Sequence, residues 1–232
     1  MKKIIINFMA LTFLSSALAM NKKDSVDVDT DAFTGETQVI LKGGGSPIFS
    51  MAWWIPNEFW DAVLTQDKSL QQSDRDAMLD AMKGTSLLAV VQADISAMGA
   101  FNYYNKDEIE QKLSITFREN NEDVVNILPM QNISSDLEVV LGVFKPILTA
   151  AMGNLGNNMH FFVLKDKSNL SKRTLNPYKK GLLIIKLKDH KNSQLSGTIE
   201  MPIDALFVPR KCPNGKDAHI SWSYCPWSGE SL

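Results

Sequence analysis

The chain is 232 residues long, 44% hydrophobic and nearly neutral, with 24 Lys and Arg against 26 Asp and Glu. That length and apolar share suit one domain with a real core and room for a small appendage. A formal charge of −2 gives no basic footprint, which excludes electrostatically driven binding to nucleic acid or an anionic membrane.

Lys2 and Lys3 precede an apolar run from Ile4 to Leu14, interrupted by Asn7 and Thr12, and Ala17-Leu18-Ala19 follows. This is the layout of a secretory signal peptide over residues 1–19, with cleavage expected after Ala19. The run is too short to span a bilayer, and no membrane span is expected once it is removed. Cleavage removes two lysines and moves the charge from −2 to −4. No cysteine follows the site to accept a lipid, so the processed chain is expected to be periplasmic or secreted.

The body of the protein is expected over residues 20–207. Asp27, Asp29 and Asp31 alternate as in a calcium loop of the EF-hand kind, but Ala32 and Gln38 stand where that loop needs Gly and Glu. The stretch is read instead as a strand with Val26 and Val28 inward, a turn at Phe33–Glu36, and a returning strand from Thr37 to Lys42. Gly43-Gly44-Gly45-Ser46-Pro47 reads as a connector, because a phosphate cradle would continue into Gly-Lys-Ser/Thr. Ile48 to Ile55 is apolar, and Pro56-Asn57-Glu58 opens a helix to about Leu64. Trp53, Trp54 and Trp60 are the candidate ligand-binding residues, a platform for a carbohydrate or other ligand, set against the commoner role of such a cluster as core.

Ser73-Asp74-Arg75-Asp76 looks like a capped helix start, with Gly84 its end. Thr85 to Ser96 reads as a buried strand that Phe101–Tyr104 extends after a bend at Gly99. Asp107 to Leu113 reads as a short helix. Leu113, Ile115 and Phe117 alternate, and a turn at Glu119–Glu122 leads to a partner strand, Val124 to Leu128. Ser134-Ser135-Asp136 caps the longest expected helix, about Asp136 to Leu155, with Leu137, Val140, Leu141, Phe144, Leu148, Ala151 and Leu155 on one face; other positions are apolar too, so the helix is expected to be mostly buried. Pro146 inside it predicts a kink. Met159 to Leu164 and Gly181 to Leu187 read as strands, separated by a long exposed loop. Ser196 to Met201 reads as a further strand, and Pro202 to Val208 as a short turn.

Residues 208–232 form a tail in which Cys212-Pro213-Asn214-Gly215 is echoed by Cys225-Pro226-Trp227-Ser228-Gly229. The pair resembles the two knuckles of a zinc ribbon, each short of its second ligand. Four soft ligands normally close a zinc shell, and Gly215 and Ser228 stand where two of them would be. The competing reading is a disulfide between Cys212 and Cys225, which an oxidising compartment favours. No metal and no cofactor are expected.

The histidines, His160, His190 and His219, form no recognisable catalytic signature, and no nucleophile elbow or Cys-x-x-Cys pair is present. No catalytic residue is assigned, and the expectation leans against an enzyme. Trp53-Trp54-Ile55-Pro56, Glu58-Phe59-Trp60, Asn158-Met159-His160-Phe161-Phe162 and the ribbon-like end together resemble a group of uncharacterised exported bacterial proteins. That resemblance implies no activity.

The expectation is therefore an α+β fold. An antiparallel sheet of about six to eight strands packs against a long helix and shorter helices. A small C-terminal zinc-ribbon-like flap docks through Trp222, Tyr224 or Trp227. The expected function is an exported binding or interaction protein of the cell envelope, its partner an unknown envelope protein or small ligand. The alternatives are an envelope hydrolase and a metal-binding protein using the tail.

Overall fold

The computed structural model describes residues 20–45, 47–120, 122–166 and 173–232. The expected signal peptide, residues 1–19, lies outside the described residues, as does the middle of the loop between residues 165 and 180.

The chain is mixed α and β, with antiparallel sheets and five α-helices among the described residues. A 3-10 turn at Ser25–Asp27 leads to helix α1 (Thr30–Thr37), then strands β1 (Gln38–Ile40), β2 (Lys42–Gly43) and β3 (Ile48–Ile55). Helices α2 (Asn57–Gln66) and α3 (Gln72–Ala81) precede β4 (Thr85–Ile95) and β5 (Phe101–Tyr103). Helix α4 (Lys106–Lys112), β6 (Ser114–Glu119), β7 (Val125–Ile127) and helix α5 (Ser135–Ala151) follow. Strands β8 (His160–Lys165), β9 (Gly181–Lys188) and β10 (Gln194–Met201) complete the sheets, and β11 (Arg210–Lys211) pairs β12 (Asp217–Ala218) in the tail.

Among the described residues there are two five-stranded sheets where a single one was expected. The first runs β1-β3-β4-β5, with β8 pairing the other half of the β4 edge; the second runs β2-β10-β9-β6-β7. The chain changes sheet between β1 and β2, with only Leu41 between them, and that residue is buried. β4 is buried along most of its length, so it reads as a continuous apolar run; β9 and β10 largely alternate, as strands with one covered face do. The first sheet is therefore the middle layer. Trp53 of β3 packs against Phe59 of α2, while Gln92 of β4 reaches the carbonyl of Lys188 on β9 at 3.2 Å.

Several expectations are corrected. Thr30–Thr37 is helical where the turn of a hairpin was expected, because the Asp29 carboxylate accepts from the N–H groups of Asp31 and Ala32 and so caps α1. Helix α3 starts at Gln72, which puts Ser73 inside it rather than at its cap. β5 folds back antiparallel on β4 instead of extending it. Helix α5 is capped by Ser134, contains Pro146 and ends at Ala151, so Leu155 lies beyond it; it is less buried than expected, with Val139, Val143, Ile147 and Ala151 exposed. The segment after β8, expected to be exposed, is anchored at both ends: Asp166 and Leu175 are buried.

In the tail, Cys212 and Cys225 form a disulfide with their Cα atoms 5.6 Å apart. Both Cys-Pro turns close on a glycine: the Cys212 carbonyl accepts at 2.8 Å from the N–H of Gly215, three residues on, and the Cys225 carbonyl at 2.8 Å from that of Gly229, four residues on. Both glycines have positive φ, which explains their place in the repeat. The tail docks through Ile220, which is buried with the main core, and not through Trp222, Tyr224 or Trp227, which are exposed.

Candidate functional site

The surface that calls for a partner lies on α5. Leu137, Val140, Leu141, Phe144 and Leu148 face the core, with Phe144 stacked on Trp60 at 4.2 Å. Val139, Val143 and Ile147 recur every fourth residue on the outer side and are 69%, 47% and 60% exposed. A helix apolar on both sides is normally covered on both. Here one side is open, and contiguous exposed apolar rows mark interaction surfaces.

A groove opens at each end of that row, one beside Val139 and Val143 and one beside Ile147. Between α3 and α5, Ala77, Met78, Ala81, Val139 and Val143 line a cleft of about 580 Å³. Asp74, Asp80 and Asp136 border it. Lys83 approaches Asp80 at 3.7 Å, whereas Asp74 and Asp136 make no ion pair among the described residues. The cleft is thus apolar at its floor and negative at its rim. At the Ile147 end, Trp53, Phe59, Trp60, Ile147 and Leu148 line a second apolar cleft of about 370 Å³.

The three tryptophans proposed as a platform do not act as one. Trp53 and Trp54 are successive strand residues and point to opposite faces of β3. Trp53 lies with α2 and donates to Thr37 Oγ1 at 3.2 Å; Trp54 is wholly buried and donates to Ser86 Oγ at 3.0 Å. Trp60 is buried as well, and only the edges of Trp53 and Trp60 reach the second cleft.

The histidines are dispersed. His160 Nε2 lies 3.0 Å from the Tyr104 carbonyl, a main-chain partner. His219 Nδ1 lies 2.7 Å from Ser221 Oγ but also accepts from the Ser221 N–H at 3.2 Å, as in a local turn; no carboxylate is bonded to its ring among the described residues. His190 joins a cluster that spans the two sheets. Its Nε2 is 3.0 Å from Asp94 Oδ2, its ring stacks on Tyr104 at 4.3 Å, and its N–H donates to the Tyr104 hydroxyl. That hydroxyl donates to Asp94 at 3.2 Å; burial, and then Asp94, raise its pKa. No group of three or more His, Cys, Asp or Glu side chains among the described residues is placed to hold a metal ion, and both sulfurs are in the disulfide.

A second ionic cluster pins the loop after β8. Arg173 forms a bidentate pair with Glu58 and donates to Asp166 Oδ2 at 2.6 Å, while Leu175 N–H donates to Asp166 Oδ1 at 2.7 Å. Burial pushes the Asp166 carboxyl up to about 6, against the opposing pull of Arg173. Tyr178 beside it is pushed up to about 12 by burial and by Glu58.

No protein-family model, curated protein or solved structure matches this chain. No helix among the described residues is long and apolar enough to cross a membrane.

Proposed function

We propose that the protein is an exported binding protein of the bacterial cell envelope that receives a cationic amphipathic segment of its partner along α5. The observation that carries this reading is the open apolar row Val139, Val143 and Ile147. A partner helix laid beside it would seat its apolar side chains on Ala77, Met78 and Ala81, in the manner of helix-in-groove recognition. Its lysines or arginines would meet Asp74 and Asp136, whose charges lack partners among the described residues. Complementary charge of this kind selects the partner and speeds encounter more than it adds affinity. Export is supported by the N-terminal pattern and by the Cys212–Cys225 bridge.

The test uses the full chain and two 18-residue amphipathic peptides with the same leucine face, one with lysines on its polar face and one with glutamates. Fluorescence anisotropy should show saturable binding of the lysine peptide alone. Val143→Asp and Asp136→Lys should each weaken it about tenfold, equivalent to about 1.4 kcal/mol. Equal binding of both peptides, or no effect of either substitution, would sink the proposal.

A further inference from the structure

Two lysines from different helices reach one recess, and neither meets an anion there. A capping box at Asn105 starts α4 and puts Lys106 at its first position. Lys145 stands on α5, on the side away from Val139 and Val143. Both line a recess of about 230 Å³ beside β8. Pro129 and Met130 cover the edge of β8 at Leu164 and Val163, where the Met130 N–H donates to Val163 O at 2.8 Å. The recess opens next to that cover, at Phe161.

Lys106 Nζ lies 5.8 Å from the centre of the Phe162 ring and Lys145 Nζ 5.9 Å from that of Phe161, at the far limit of cation–ring attraction. Neither ammonium forms an ion pair among the described residues. Burial, and then repulsion by Lys106, hold the Lys145 ammonium below the usual lysine range. Like charges gathered in a partly dry recess cost free energy until an anion joins them. The acids of the same lining are turned to other tasks or set apart. Glu110 accepts from Gln131 Nε2 at 2.9 Å. Glu138 precedes Lys145 by about two turns of α5, about 10 Å along its axis.

We infer that Lys106 and Lys145 hold the carboxylate of a small organic acid whose apolar body lies on Phe161, Met130 and Ile133. Each ammonium donates to one carboxylate oxygen, a charge-assisted pairing. A single negative charge suits the recess, because Glu110 and Glu138 on the same lining repel a doubly charged phosphate. This site is separate from the open row of α5 and does not depend on it.

The experiment titrates the full, disulfide-bonded chain with benzoate, hexanoate and inorganic phosphate by calorimetry at fixed ionic strength. Saturable binding of at least one carboxylate, tighter than that of phosphate, is the expected result. Lys106→Met and Lys145→Met should each weaken it about tenfold, the loss of one charge-assisted hydrogen bond. Neither substitution should lower the melting temperature, because neither ammonium has an ion pair to lose among the described residues. In the parent, acetylation of Lys145 by acetic anhydride, followed by peptide mass spectrometry, should slow once the carboxylate saturates the recess. The inference is overturned if neither carboxylate binds, or if phosphate binds more tightly than both. It is equally overturned if the two substitutions bind like the parent, or if the labelling of Lys145 does not change.

Discussion

Asp166 is a buried carboxylate with strong partners whose pKa nevertheless sits well above the ordinary aspartate value of 3.8. Burial dominates because Arg173 is shared with Glu58, leaving one cation for two acids. Between pH 3.8 and about 6 the folded chain keeps a proton that the unfolded chain has lost. The stabilisation from this proton is complete below the lower value and disappears as pH rises through the upper one. Glu36, raised by burial where it accepts from the N–H groups of Asp204 and Ala205, adds to the same trend. The melting temperature of Asp166→Asn, measured from pH 5 to 7.5, should therefore fall less with rising pH than that of the parent. It should also be lower throughout, because an amide has one acceptor oxygen where the Asp166 side chain accepts from both Arg173 and the Leu175 N–H. An identical slope for the two proteins would contradict the assignment. Nothing local in the sequence announces this cluster, since Glu58 and Arg173 are 115 positions apart. The contact of His190 with Tyr104 hides in the same way, across 86 positions.

At the scale of single elements, α5 separates its two sides energetically. Phe144→Ala removes a ring stacked on Trp60 and should cost about 3–5 kcal/mol in urea unfolding. Val143→Ala, on the open row, should stay within about 0.5 kcal/mol. Similar losses at the two positions would mean that the outer row is covered in the folded chain. This helix was legible because Ser134 and a regular apolar spacing both mark it, and β4 because its apolar run is too long to be a half-exposed strand. The same reasoning misread α1. Asp27, Asp29 and Asp31 alternate like a strand, yet Asp29 satisfies two N–H groups and starts a helix that only Phe33 and Thr37 bury. The exposed row of α5 was also in plain sight at positions 139, 143 and 147, but a face reads as open only once the neighbouring elements are known to leave it so.

Across the whole molecule, the disulfide closes a loop between residues 13 apart and should contribute about 3 kcal/mol. Protein purified without reductant should show no alkylatable thiol before reduction and two after it, by intact mass. Reduction should lower the melting temperature while the near-ultraviolet dichroism of the native chain, dominated by Trp53, Trp54 and Trp60 in the core, persists below the transition. Free thiols in the unreduced protein would refute the bridge. The division into two sheets escaped the sequence because Thr37 to Lys42 reads as one strand, and only three-dimensional pairing shows its halves serving different partners. That corner has a mechanical meaning. A Cβ on Gly197 of β10 would come within 2.7 Å of Val39, so the second sheet is seated on the very strand that leads into it. Any side chain placed at Gly197 would force Val39 to give way and would part the two layers beside the crossing that has one residue between its strands.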